Sequence, residues 1–281
     1  MSGSKRAQAV FLLVAAAVLW SLAGLLIKWV SLSALAVAGI RSAIALPVLL
    51  VYFGRGAVNF SAAQLVGGVS YAATVILFVA ATKLTTAGNA ILLQYTAPIY
   101  VALLSHWLLD ERITWFDWVT IVAVLVGISL FFIDKLSIGG FTGNILAIIS
   151  GVAYAFVALF MRKQKDGSPA GSAILGNLLT ALVCLPWMVQ ASPVGMDWVG
   201  LTLLGVFQLG LSYAFYAVAI KSVTAMEAIL IPMLEPMLNP LWTLLFMGER
   251  LGPWALFGGA VVILSMLFRG VMNARGTHGR Q

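Results

Sequence analysis

Few side chains in this chain can do chemistry, and their spacing narrows what that chemistry is. Glu235 lies between Pro232, Pro236 and Pro240, with Asn239 one helical turn beyond it on the same face. Prolines at i, i+4 and i+8 remove backbone donors and leave carbonyls free along one stripe, so the helix carrying them is expected to kink or open. Two readings of Glu235 stay open: it binds a substrate ammonium or exchanges a proton, or it is a structural carboxyl that hydrogen-bonds the broken helix. Arg41 sits inside another apolar run. Its planar fork suits a carboxylate, but its long stem also suits snorkelling to the membrane surface. Snorkelling or a structural pair is the expectation.

Neutral polar and aromatic residues form stripes. Tyr71, Thr74, Phe78 and Thr82 recur at i, i+3, i+7 and i+11; Gln208, Ser212 and Tyr216 recur at i, i+4 and i+8. Gln94 precedes Pro98 by one turn, with Tyr95 and Tyr100 beside them. Lipid-facing surfaces have no use for such stripes, so each lines a cavity or a helix–helix contact. Tyr71, Thr74, Phe78, Gln94, Tyr95, Tyr100, Gln208, Ser212, Tyr216 and Glu235 are therefore the candidate substrate-binding residues, with Trp20, Ser21 and Tyr154 as weaker ones. Such a wall suits organic solutes that have both an apolar part and hydrogen-bonding groups. A phosphate site would want several converging Lys or Arg, and a simple cation pore would want an acidic ring.

Enzyme chemistry lacks its parts. His106 and His278 make no metal pair at useful spacing, and no serine or cysteine has a recognisable base partner. Cys184 is the only cysteine, so there is neither an intrachain disulfide nor a cysteine metal cluster; in its apolar run it reads as an inert buried thiol. No Walker-type loop is present to couple ATP. The expectation is a protein that is no enzyme and needs no cofactor or metal.

The elements that position these residues follow from composition. Of 281 residues, 62% are hydrophobic and 9% charged, with mean hydropathy +1.05, whereas a soluble domain carries roughly a quarter charged residues. So few charges cannot cover a soluble surface, and lipid must be the solvent. Long apolar runs near the ~20 residues of a spanning helix point to helices rather than a barrel. Ten runs stand out, at 9–29, 34–53, 63–82, 86–108, 115–133, 143–162, 172–190, 198–219, 224–247 and 253–269. The fold class expected is all-α integral membrane. The run after Lys5 and Arg6 outlasts a signal-peptide core and reads as a retained first helix. With the N-terminus in the cytoplasm, eleven Lys and Arg fall on the cytoplasmic side and four outside, Arg41 left aside. Both termini are thus expected in the cytoplasm, in an inner (plasma) membrane. The net charge of +7 is scattered singly at helix ends, which argues against a nucleic-acid partner.

The runs repeat. Lys83, Thr86, Ala87, Pro98, Glu111 and Arg112 are each 138 positions before Lys221, Thr224, Ala225, Pro236, Glu249 and Arg250. Thr74 and Phe78 keep that interval to Ser212 and Tyr216, and Trp20 and Lys28 match Tyr154 and Arg162 more loosely. Two units of five helices each, 1–137 and 138–281, are expected. An odd number of spans per unit turns the second upside down, the architecture of secondary transporters.

Leu234-Glu235-Pro236 followed by Gly248-Glu249-Arg250-Leu251, echoed by Pro98 and Asp110-Glu111-Arg112, resembles the EamA-type repeat of the drug/metabolite transporter superfamily. The resemblance covers nearly the whole chain as two units. In size and aromatic content it is also similar to the YddG-type amino-acid exporters of bacteria. The first half has Ala97 where the second has Glu235, which departs from a paired-glutamate pattern. The resemblance implies a secondary exporter of small metabolites, amino acids foremost, working by alternating access. Efflux of cationic or other amphipathic drugs is the alternative, and a non-transporting scaffold the third reading. The expected partners are a small-molecule substrate, the lipid bilayer and protons, with the chain a monomer or weak homo-oligomer.

Overall fold

A computed structural model describes residues 3–131, 133, 139–238 and 253–278. All regular structure among the described residues is helical. Among the described residues, seven helices are long and apolar enough to cross a membrane, and the shorter apolar helices Trp115–Leu130 and Leu256–Gly270 coincide with the fifth and tenth expected runs. Of the ninth run only the first part is described; Asn239, Pro240 and Gly248 to Leu251 lie outside the described residues, as do Lys135 and Arg280.

Local chemistry sets where helices start and break. The first run, Ser4–Trp29, is two helices, α1 (Gly3–Trp20) and α2 (Ala23–Trp29). They part where Ser21 Oγ donates to the Val18 carbonyl at 2.6 Å, a side-chain bond that competes with the backbone ladder. Helix α3 (Ala34–Phe53) is capped by Ser33, and α4 (Ala62–Leu84) by Ser61. The fourth run divides into α5 (Ala87–Gln94), capped by Thr86, and α6 (Ala97–Leu109). Pro98 stands in the first turn of α6, where its missing N–H has no intrahelical partner to lose. Helices α7 (Trp115–Phe131), α8 (Phe141–Lys163) and α9 (Ala170–Gln190) follow.

The eighth and ninth runs depart most from regular helix. Helix α10 (Met196–Thr202) passes into a π-helical segment, Leu203–Leu211, before α11 (Ser212–Ala219). Helix α12 (Ala225–Leu230) opens with a capping box of Thr224 and Glu227 and tightens into a 3-10 turn over Ile231–Leu234. The last helix is α13 (Pro253–His278).

Helix α4 packs on α8 and α9, α3 on α9 and the π-helical segment, α1 on α11, and α7 on α13. Small residues allow the closest approaches, as is usual between helices in lipid. A Cβ on Gly176 of α9 would stand 2.5 Å from the Tyr71 ring of α4, and one on Gly151 of α8 would stand 2.6 Å from the Gln94 carbonyl. Large apolar side chains such as Phe11, Trp107, Leu182 and Val189 face outward, where lipid takes the place of a protein partner. Polar groups are gathered inside. One example is the ion pair of Arg269 Nε and Asp117 Oδ1 at 2.7 Å, buried between α13 and α7.

Candidate functional site

The interior polar groups converge on a central cavity. Its wall is formed by Trp20 of α1, Arg41 of α3, Thr74, Val75 and Phe78 of α4, Gln94 and Tyr95 at the end of α5, and Tyr154 of α8. Gln208 and Leu209 of the π-helical segment, Tyr213 of α11 and Glu235 complete it. The space enclosed is about 40 Å³, enough for roughly three waters at ~10–15 Å³ each. The cavity is constricted in this conformation.

Glu235 is positioned by the backbone defect that its prolines impose. Pro236 has no N–H to offer the carbonyl of Pro232 four residues earlier. That carbonyl accepts instead from Glu235 N in the 3-10 turn, and the Tyr95 hydroxyl stands 3.1 Å from it and 2.6 Å from Glu235 Oε2. Tyr95 thus ties this turn and its carboxyl to the other half of the chain. The carbonyl that the proline spacing is expected to free is re-paired with the Glu235 N–H by the 3-10 turn, and the Glu235 residue is 9% exposed.

Arg41 departs from the snorkelling expectation. It is 1% exposed, inside the protein, because Gln208 and the Val75 carbonyl offer it acceptors there. Nη1 donates to Gln208 Oε1 at 3.0 Å and Nη2 to the Val75 carbonyl at 3.5 Å, while Nε is buried without a partner. No carboxylate reaches it among the described residues. A guanidinium held only by neutral acceptors in a membrane interior is costly, and such residues usually mark a site.

The aromatic part of the wall centres on Trp20. Its ring centroid is 5.0 Å from Tyr213, 5.5 Å from Tyr216 and 6.1 Å from Tyr154, tilted or edge-on. Gln94 donates through Nε2 to Ser150 Oγ at 2.7 Å, and Ser150 in turn to the Thr74 carbonyl at 3.1 Å. The amide and the threonine are held in place from behind.

Of the ten candidate residues, Thr74, Phe78, Gln94, Tyr95, Gln208 and Glu235 come together on this wall. Tyr71 lies one layer back, accepting from Asn177 Nδ2 at 2.8 Å and packing edge-on against Tyr213 at 4.5 Å. Ser212 turns onto the carbonyls of Gln208 and Leu209. Tyr216 is fully buried against Trp20 without forming the wall, and Tyr100 is half-buried in the apolar packing. Tyr213 takes the place that α-helical counting gave to Ser212. The π-helical segment has more residues per turn, so Gln208 shares a face with the residue five ahead rather than four. Tyr213 carried no periodic signal in the sequence, and only the extra residue in that turn brings it round.

Polar ties join neighbouring helices near both ends of α8. Near the start of α8, Asn144 meets Thr85, and there Lys28 donates to the Thr85 carbonyl at 3.1 Å and Lys83 to the Val30 carbonyl at 2.6 Å. On the same side, Ser31 donates to the Asp197 carboxylate through N at 2.9 Å and Oγ at 2.8 Å. At the other end of α8, Arg162 Nε pairs with Glu111 Oε1 at 2.7 Å and its Nη1 reaches the carbonyls of Ile220 and Lys221. Glu111 Oε2 also accepts from Ala225 N at 2.8 Å, at the start of α12. Beside it, Arg6 pairs with Glu227 at 2.6 Å.

The EamA-like transporter family model matches twice, over residues 7–133 and 141–270. The threonine/homoserine exporter RhtA of Escherichia coli (strain K12) is 28% identical over 240 residues, covering 82% of this chain and 80% of the exporter. An uncharacterized transporter of Archaeoglobus fulgidus is 29% identical over 196 residues, 69% of this chain and 71% of that one. A protein crystal structure aligns with TM-score 0.79 over 92% of this chain and 96% of its own, at 18% identity, a likeness of fold alone.

Proposed function

The chain belongs to the EamA-like transporter family as a multi-pass membrane transporter, and from that premise we propose that it exports amino acids by alternating access. The central cavity is where the solute crosses: Thr74, Phe78, Gln94, Tyr95, Gln208 and Glu235 line it, Tyr71, Ser212 and Tyr216 pack behind that wall, and Tyr100 stands in the apolar packing. The topology proposed is ten spans in two inverted five-helix halves, 1–137 and 138–281, with both termini in the cytoplasm of an inner membrane. Ties at both ends of α8 would be broken in turn as the halves rock.

The observation that carries this reading is the mixed wall: Trp20, Tyr154 and Tyr213 beside Gln94, Gln208, Thr74, Arg41 and Glu235. Such a wall fits small solutes with an apolar part and several hydrogen-bonding groups. The naming of a relative as a threonine/homoserine exporter supports the same class. Cation efflux is the second reading, favoured by Glu235 among aromatic rings that attract cations. Arg41 in the same wall repels a purely cationic solute, so it ranks below amino-acid export.

The test is transport by the purified chain in lipid vesicles. Labelled amino acids and quaternary ammonium ions are compared, with and without a pH gradient. Saturable movement of amino acids but not of the cations is expected. Movement of the cations alone would select the second reading, and saturable movement of neither would overturn both. Glu235→Gln addresses proton coupling: loss of the response to the pH gradient is expected, and an unchanged response would remove Glu235 as a proton carrier.

A further inference from the structure

We infer that the cavity recognises a zwitterion, with Arg41 binding the α-carboxylate and Glu235 the α-ammonium of one amino acid. The inference rests on the proposed transport of amino acids and adds to it which groups of the substrate are read. Both side chains belong to the wall of one small cavity, and among the described residues neither makes an ion pair. A buried cation and a buried carboxylate sharing a cavity ordinarily neutralise each other. Here each is held instead by neutral groups, Arg41 by Gln208 and a carbonyl, Glu235 by Tyr95.

Donor arithmetic says what is missing. A guanidinium offers five N–H groups in a fixed fork. Arg41 uses one on each terminal nitrogen, and Nε is buried with no acceptor. Nε with an adjacent terminal nitrogen forms the edge that takes a carboxylate with two parallel hydrogen bonds. Glu235 gives one oxygen to Tyr95 and has further lone pairs for a donor, which an ammonium with three N–H groups supplies. The two charges also come from different halves of the chain. The first half carries Ala97 at the position equivalent to Glu235, so the site is polar in one direction and orients its ligand. The ring cluster of Trp20, Tyr154 and Tyr213 on the same wall takes the side chain.

Gln208 is a positioning residue for Arg41. It stands in the π-helical segment, and that extra residue per turn is what puts its amide and Tyr213 on the same wall.

The experiment is counterflow in vesicles containing the full chain. The twenty amino acids are screened first, and the best-carried one is then competed by its own methyl ester and its own N-acetyl derivative. Blocking either charge is expected to weaken competition roughly 10- to 100-fold, the range for losing hydrogen bonds between charged groups. Arg41→Gln is expected to weaken the amino acid by that factor and leave the methyl ester within about threefold. Glu235→Gln is expected to do the same for the N-acetyl derivative. Either derivative competing within about threefold of the free amino acid in the wild-type protein overturns the zwitterion site while leaving amino-acid transport standing. Transport of none of the twenty overturns the proposed function, and this inference with it. The wild-type derivative series needs no substitution, so it decides the matter even where Arg41→Gln fails to fold.

Discussion

Removing the Glu111 carboxylate should open the cavity towards the face assigned to the cytoplasm. Glu111 ties three elements there: Arg162 at the end of α8, the N-terminus of α12 through Ala225 N, and, by way of Arg162, the carbonyls that end α11. Glu111→Ala deletes two hydrogen bonds to a charged group. Each contributes about 1.5–3 kcal/mol when buried, and the pair is partly exposed, with 12% and 17% side-chain accessibility. Partial screening lowers the sum to about 2–4 kcal/mol. If the tie exists only while that end is closed, its loss raises the population open to the cytoplasm by roughly 30- to 1,000-fold, at about 1.4 kcal/mol per decade. The assay is thiol labelling in inside-out vesicles. Cys184, the only cysteine and buried, is replaced by alanine, and Thr74→Cys places a reporter on the cavity wall. The labelling rate with a membrane-impermeant reagent should rise at least tenfold on adding Glu111→Ala. A rate within twofold of the parent would refute the idea that this tie gates the cavity.

Three further outcomes follow from named contacts. Asp117→Ala strands Arg269 in the contact between α7 and α13, and breaking a buried pair costs about 3–5 kcal/mol; the melting temperature in detergent should fall clearly, and replacing both residues by apolar ones should recover most of it. Gly176→Val drives a Cβ to within 2.5 Å of the Tyr71 ring, so overpacking should destabilise the protein by about 1–3 kcal/mol in thermal unfolding. Tyr95→Phe removes the hydroxyl shared by Glu235 and the Pro232 carbonyl. Transport should drop about tenfold or more, and full retention would show that neither group depends on it.

How much of this was legible in the sequence depended on the length scale of the signal. Composition named lipid as the solvent, and apolar runs placed helices α3, α4, α8 and α9 within a few residues. Interruptions shorter than a turn were less visible. The first and fourth runs looked continuous because Ser21 and Thr96, where they break, are residues a membrane helix also tolerates. The proline spacing around Glu235 does imply a broken α-helical ladder, since a missing N–H is a property of the residue itself, but not that a 3-10 turn re-pairs the Pro232 carbonyl with Glu235 N. Arg41 was harder: its stem fits snorkelling and burial equally, and only the approach of Gln208 and the Val75 carbonyl distinguishes them. The stripe at 208–216 has α-helical spacing in the sequence. The π-helical turn that exchanges Ser212 for Tyr213 depends on how α3 packs against that segment, through Gly205 on Ile44 and the Arg41 carbonyl, which no local pattern reveals.

Transport through the central cavity is tested most directly by plugging it. Thr74→Trp puts an indole far larger than the ~40 Å³ available into the cavity that Trp20's ring cluster also lines. In vesicles preloaded with unlabelled amino acid, the wild-type chain should accumulate the labelled form transiently above equilibrium. The Thr74→Trp chain, shown to be folded by its thermal melt, should accumulate none beyond protein-free vesicles. Accumulation by Thr74→Trp at the wild-type rate would contradict passage through this cavity.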